Sequence, residues 1–201
     1  LRRLARELRT KDETMKHLWL TLMLVCTVWL PGLASATMVL YTPLSQMTEK
    51  SDLIVHAEVI GQKVVRDEAG RIKTHSSLRV IESVRGATKG ETLELSQVGG
   101  ELNGEVAHVV GTSRFSVGEQ VVIFGARLPN RVVMFAVGVG KYRVFEEGGR
   151  TYAMPEIGDV QFVARGSSGG LEPVKYPVPT AKELSVFLAN LRDHLKAAGV
   201  K

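Results

Sequence analysis

From position 52 to position 164 the chain is interrupted about every ten residues by a turn signal. The breaks include Asp67-Glu68-Ala69-Gly70, Gly86-Ala87-Thr88-Lys89-Gly90, Pro129-Asn130 and Glu146-Glu147-Gly148-Gly149. Between them, apolar residues alternate with a period of two. In 52–60, Leu53, Val55, Ala57 and Val59 share one face, and Ile54, His56, Glu58 and Ile60 share the other. Both faces are partly apolar, which suits a strand covered on two sides. Further strands are expected over 72–84, 91–98, 120–127, 131–137, 141–145 and 150–154, with short ones at 106–110 and 159–164. Glu146-Glu147-Gly148-Gly149 reads as a hairpin turn. Strands at this spacing pack as an antiparallel barrel or sandwich rather than as βαβ units.

The segment before this pattern has a different character. Met15-Lys16-His17 is a short basic stretch, residues 18–30 are apolar or small, Pro31-Gly32 breaks the run, and Ala34-Ser35-Ala36 is a small-x-small site. These are the three parts of a secretory signal peptide, and an apolar run of that length falls short of the roughly 20 residues a membrane span needs. Cleavage after Ala36 is therefore expected, with export to the periplasm or the medium and no stable membrane span afterwards. Residues 1–14 read as an extension ahead of the true start. The single cysteine, Cys26, lies in the leader, so residues 37–201 carry no disulfide and no thiolate chemistry. The formal charge of +5 misleads in the same way: residues 1–36 hold six basic and three acidic side chains, so only +2 remains beyond them. That balance gives no strong pull on nucleic acid.

Residues 165–179, rich in Gly, Ser and Pro, read as a linker between the β domain (37–164) and a C-terminal helix over 180–198. Thr180 and Glu183 have capping-box spacing. Leu184, Phe187, Leu188, Leu191 and Leu195 form one apolar stripe, and Gly199 ends it. Upstream, Ser45 is placed to cap a helical turn or two over 45–51.

Familiar catalytic patterns fail on their context. Gly166-Ser167-Ser168-Gly169-Gly170 has nucleophile-elbow spacing, but prolines follow it where the elbow needs a helix. Gly138-Val139-Gly140-Lys141 lacks the first Walker glycine, because Phe135 stands there, and Tyr142 replaces the magnesium-binding hydroxyl. These glycines instead mark a bulge or a close backbone approach. His56, His75, His108 and His194 have no zinc spacing, so no metal and no cofactor are expected. Lys141, Tyr142, Arg143 and Phe145 are the nearest approach to a basic–aromatic nucleic-acid strand, with the basic and aromatic side chains only partly in phase.

Four segments carry a resemblance: Ser51-Asp52-Leu53-Ile54-Val55-His56-Ala57-Glu58-Val59-Ile60, Val80-Ile81-Glu82-Ser83-Val84-Arg85-Gly86, the run from Phe115 to Phe124, and Gly138-Val139-Gly140-Lys141-Tyr142-Arg143-Val144. Their order resembles a set of uncharacterised secreted bacterial proteins and, more distantly, the netrin-like domain of tissue inhibitors of metalloproteases. The resemblance implies a mainly β fold: a five-stranded OB-like barrel with extra strands and the C-terminal amphipathic helix packed on it. The inhibitors' mechanism needs a mature N-terminal cysteine, and no cysteine follows Cys26 here.

Three functions remain. A non-catalytic binding module would use the glycine-rich loop, with Glu101, Asn103, Glu105, His108 and Arg114 as contact residues and a protein, peptide or glycan as partner. A hydrolase would use His108 and Glu105 as acid and base, and would need His108 in a concave site with a hydroxyl or carboxylate in reach. An envelope accessory protein would dock through the helical stripe. Composition sets no oligomeric state.

Overall fold

The computed structural model describes residues 37–158, 160–167 and 169–200. The expected leader, the residues before it, Asp159 and Ser168 lie outside the described residues.

The chain begins with strand β1 (Thr37–Leu40) and a short helix α1 (Leu44–Lys50), then a long antiparallel pair, β2 (Leu53–Arg66) and β3 (Ile72–Arg85), and β4 (Thr92–Val98). A small hairpin follows, β5 (Gly100–Leu102) and β6 (Glu105–Ala107). Next come β7 (Gln120–Leu128), β8 (Arg131–Met134), β9 (Lys141–Glu147) and β10 (Arg150–Pro155). The last elements are β11 (Val160–Arg165), β12 (Leu171–Pro173), β13 (Lys182–Glu183) and the C-terminal helix α2 (Leu184–Ala197).

Pairing runs β7-β2-β3-β4-β8, and β8 returns to β7, which closes a five-stranded barrel. The protein is thus mainly β, with an OB-like barrel carrying extra strands and a C-terminal helix. The ring is antiparallel except at its seam, where β4 and β8 run parallel through Leu95 and Val132. Alternation explains the two layers. Leu53, Val55, Ala57 and Val59 fill the barrel with Leu78, Val80, Leu93, Leu95, Val121, Ile123 and Val132. Register shifts along β2 near Val55, Ala57 and Gly61 are bulges that let two 14-residue strands coil around that core.

The opposite face of the sheet forms a second core. There Ile54, Val122, Phe124, Tyr142 and Ala153 meet Met47 of α1 and the stripe Leu184, Phe187, Leu188, Leu191 and Leu195 of α2. Because that stripe is buried within its own chain, it offers no docking face. The helix starts at Leu184, later than the Thr180 expected from the capping-box spacing, and Glu183 at its N-cap makes no side-chain cap. The expected box does not form because Lys182 and Glu183 pair instead with Ala153 and Tyr152 of β10. Helix α1 likewise has Pro43, not Ser45, at its N-cap.

A third, smaller sheet has the order β1-β11-β12, with β1 and β11 parallel. Here the expected linker 165–179 is corrected: it contains β12 and packs Tyr176 beside Val39, Val139 and Phe162. The ring of Tyr176, 4.4 Å from Phe162, supplies apolar contact that its Gly, Ser and Pro neighbours lack. Gly166 to Gly170 turns β11 back into β12, so the elbow-like spacing lies in a hairpin and not before a helix. Among the described residues, no helix is long and apolar enough to cross a membrane.

Candidate functional site

The β5–β6 hairpin and residues 108–119 lie across one end of the barrel and leave a cleft of ≈ 430 Å³ against its wall. Side chains from the strands hold this loop in place. Gln62 Nε2 donates to the Phe115 carbonyl at 3.1 Å and to Ser76 Oγ at 3.2 Å. Gln97 Nε2 donates to the Ser113 carbonyl at 3.2 Å, and Thr74 Oγ1 to the Gly99 carbonyl at 2.7 Å. Phe115 is buried with the barrel core and anchors the loop's far end. Gln62 and Gln97 both line the cleft while their amide Nε2 groups hold the loop.

Of the five residues expected at a binding loop, three line this cleft: Glu101, His108 and Arg114. The other two do not. Asn103 sits at φ 53° and Gly104 at φ 81°, which makes them the two-residue turn between β5 and β6. Asn is one of the few side chains that accepts this conformation, so its role is the turn. Glu105 is held by Arg66, 2.6 Å away. The acid–base pairing of Glu105 with His108 is therefore corrected. His108 is exposed, and its ring bonds no described side chain. Sequence reading missed Gln62, Thr74 and Gln97, which looked like ordinary strand positions; their only signal is polarity where the barrel wall meets the loop.

The glycines of 138–140 serve the close approach expected of them. A Cβ on Gly138 would stand 2.1 Å from the Gly111 carbonyl oxygen and 3.0 Å from Ser113 N. Ser113 Oγ also donates to the Gly138 carbonyl at 2.9 Å. Gly138→Ala must push the cleft loop outward, with an expected loss of about 1–3 kcal/mol, read as a lower urea midpoint at unchanged slope.

Behind the loop, Lys141 begins β9 and is only 1% exposed. Its ammonium lies 2.7 Å from Glu119 Oε1 and 3.1 Å from Glu156 Oε2, donates to the Arg114 carbonyl, and sits 4.6 Å over the Phe115 ring. The partial basic–aromatic pattern of this strand is divided between interior and surface. Lys141 and Tyr142 are interior, while Arg143 lies over the Phe145 ring, itself stacked on Tyr152 at 5.9 Å.

His56, on the outer face of β2, is 5% exposed, and its Nε2 lies 3.0 Å from Gln120 Oε1. Burial pushes its pKa below the ordinary 6.5, against smaller upward pulls from the Gln120 bond and the Glu82 carboxylate. A buried imidazole with a depressed pKa stabilises the fold when neutral. Its contribution is complete above 6.5 and is lost as the pH falls below that value, because the unfolded chain then binds the proton first. His56→Gln is expected to flatten the fall in urea midpoint between about pH 7.5 and pH 5.

Among the described residues, no group of three or more His, Cys, Asp or Glu side chains is placed to hold a metal ion. The fold and its cleft define a class: an OB-like barrel with a loop-walled groove at one end. No protein-family model matches the chain, and comparison with the curated proteins gives no match.

Proposed function

We propose that this chain is an exported, non-catalytic binding module that takes an extended peptide in the cleft beneath the β5–β6 hairpin. The observation that carries the reading is that Glu101, His108 and Arg114 line one groove together with Gln62 and Gln97, whose side-chain amide oxygens can act as acceptors. An extended peptide presents backbone N–H donors for such acceptors and charged or apolar side chains for the rim. Val98 and Val106 give the same groove an apolar side. A glycan fits less well, because the one aromatic ring lining the cleft, Phe115, is buried. Hydrolysis finds no support in His108, which lacks a carboxylate or hydroxyl within reach. The netrin-like resemblance enters this reading only through the barrel, and export rests on the signal-like pattern of 15–36.

The test is a peptide array probed with the full chain and with a Glu101→Ala/His108→Ala/Arg114→Ala variant. Selected peptides should bind the parent and lose about tenfold or more with the variant. Equal binding by both, or no peptide bound, overturns the reading. Export is checked by fractionation and intact mass in the native host, where loss of residues up to Ala36 is expected.

A further inference from the structure

A second cavity lies on the far side of β9, where the three-stranded sheet and the 174–180 strap meet the helical layer. Its volume is ≈ 200 Å³, the space of about six or seven liquid waters or one small organic molecule. Tyr41, Tyr142 and Tyr176 line it with Lys182, whose ammonium lies 6.0 Å over the Phe187 ring. Leu44, Met47, Val139 and three prolines make an apolar part of the wall, and Thr42 and Thr180 add hydroxyls. The chain has four tyrosines, and three of them are gathered here from positions up to 135 apart.

Tyr142 is the informative member. It is 6% exposed, and its ring stacks on Phe187 at 4.9 Å. Its hydroxyl makes no hydrogen bond to a described residue, yet no enclosed side-chain polar atom among the described residues lacks a partner. The hydroxyl therefore reaches the open volume of the cavity. Open to that volume, the phenol is free to donate to a bound ligand in place of water. Burial and the neighbouring Tyr41 and Tyr176 push its pKa upward, so it remains a donor at physiological pH.

We propose that this cavity is a binding site for a small organic carboxylate, with its oxygens held by the Tyr41, Tyr142 and Tyr176 hydroxyls and the Lys182 ammonium and its apolar body against Leu44, Met47 and the prolines. Phenol and ammonium donors favour an oxyanion, because the ammonium repels a cation and every one of these groups can turn a proton toward the bound oxygens. The apolar walls select an organic body over a bare inorganic ion. The site is distinct from the peptide cleft and does not depend on it.

The test uses the full chain with ¹³C-labelled tyrosine rings, titrated with benzoate and followed by NMR. Benzoate should move three of the four tyrosine signals with a dissociation constant of about 1 mM, while Tyr152, stacked on Phe145, stays still. Benzyl alcohol and inorganic phosphate should bind at least tenfold more weakly. Tyr142→Phe should weaken benzoate about tenfold while leaving the thermal midpoint unchanged, because its hydroxyl bonds no partner among the described residues. Lys182→Met should weaken benzoate without changing the response to benzyl alcohol. No shift with benzoate, a shift of Tyr152 equal to the others, tighter binding of phosphate, or full affinity in Tyr142→Phe would each overturn the proposal.

Discussion

Lys141→Ala is expected to destabilise the protein by about 3–5 kcal/mol, a large share of what holds a domain of this size folded. The ammonium that would be lost stands between Glu119 and Glu156 and is almost wholly out of contact with water. Without it Glu119, which keeps the Ser116 N–H, and the partly exposed Glu156 lose their counter-charge, and the Arg114 carbonyl loses its donor. The damage should come mainly from these stranded charges. A Lys141→Met/Glu119→Gln/Glu156→Gln triple variant, which removes all three charges together, should accordingly recover much of the loss. Urea denaturation of both variants decides it. If the triple variant is no more stable than Lys141→Ala, the stranded-charge account is wrong and the cavity left by the side chain matters instead.

Phe187→Ala should have a comparable effect, about 3–5 kcal/mol, through another mechanism. Phe187 is 1% exposed and lies between the rings of Tyr142 and Phe124, at 4.9 and 6.4 Å. Helix α2 has no side-chain cap at its N-terminus, so a 14-residue element depends on this face for its stability. The neighbouring Val186, exposed on the other side, provides the control. Val186→Ala should stay within about 0.5 kcal/mol of the parent. Loss of helical signal at a lower denaturant concentration than loss of sheet signal in Phe187→Ala would show the helix detaching before the barrel unfolds.

The sequence made some of these features legible and hid others, for physical reasons. Strand positions could be read because alternation and turn chemistry are local: the pattern of Leu53, Val55, Ala57 and Val59 does not depend on what the strand pairs with. The capping box at Thr180 and Glu183 was read by the same local logic and failed, because a non-local strand pairing with β10 took those residues. Lys141 resembled a surface or phosphate-binding lysine. Its burial follows from Glu119 and Glu156, 22 and 15 positions away, and no window of sequence contains that balance. In the glycine-rich loop, Glu101, His108 and Arg114 share a groove. Asn103 was separated from them by a local signal that was passed over, the Asn103-Gly104 hairpin turn, and Glu105 by a non-local one, the arginine on β2. The tyrosine cavity had no local signal at all, since its members come from three distant segments.

The seam between β4 and β8 has a further consequence. Four strand contacts around the ring run over several residues, whereas this one rests on the single pair Leu95 and Val132. The ladder is shortest there, so β8 is expected to part from β4 before the other joins open, letting solvent into the barrel. Val98, Val109, Val133 and Val137 border that join and form a shallow greasy furrow of ≈ 250 Å³. When the join parts, the furrow and the barrel interior become one continuous apolar surface, making this flank the point from which heat or denaturant unravels the molecule.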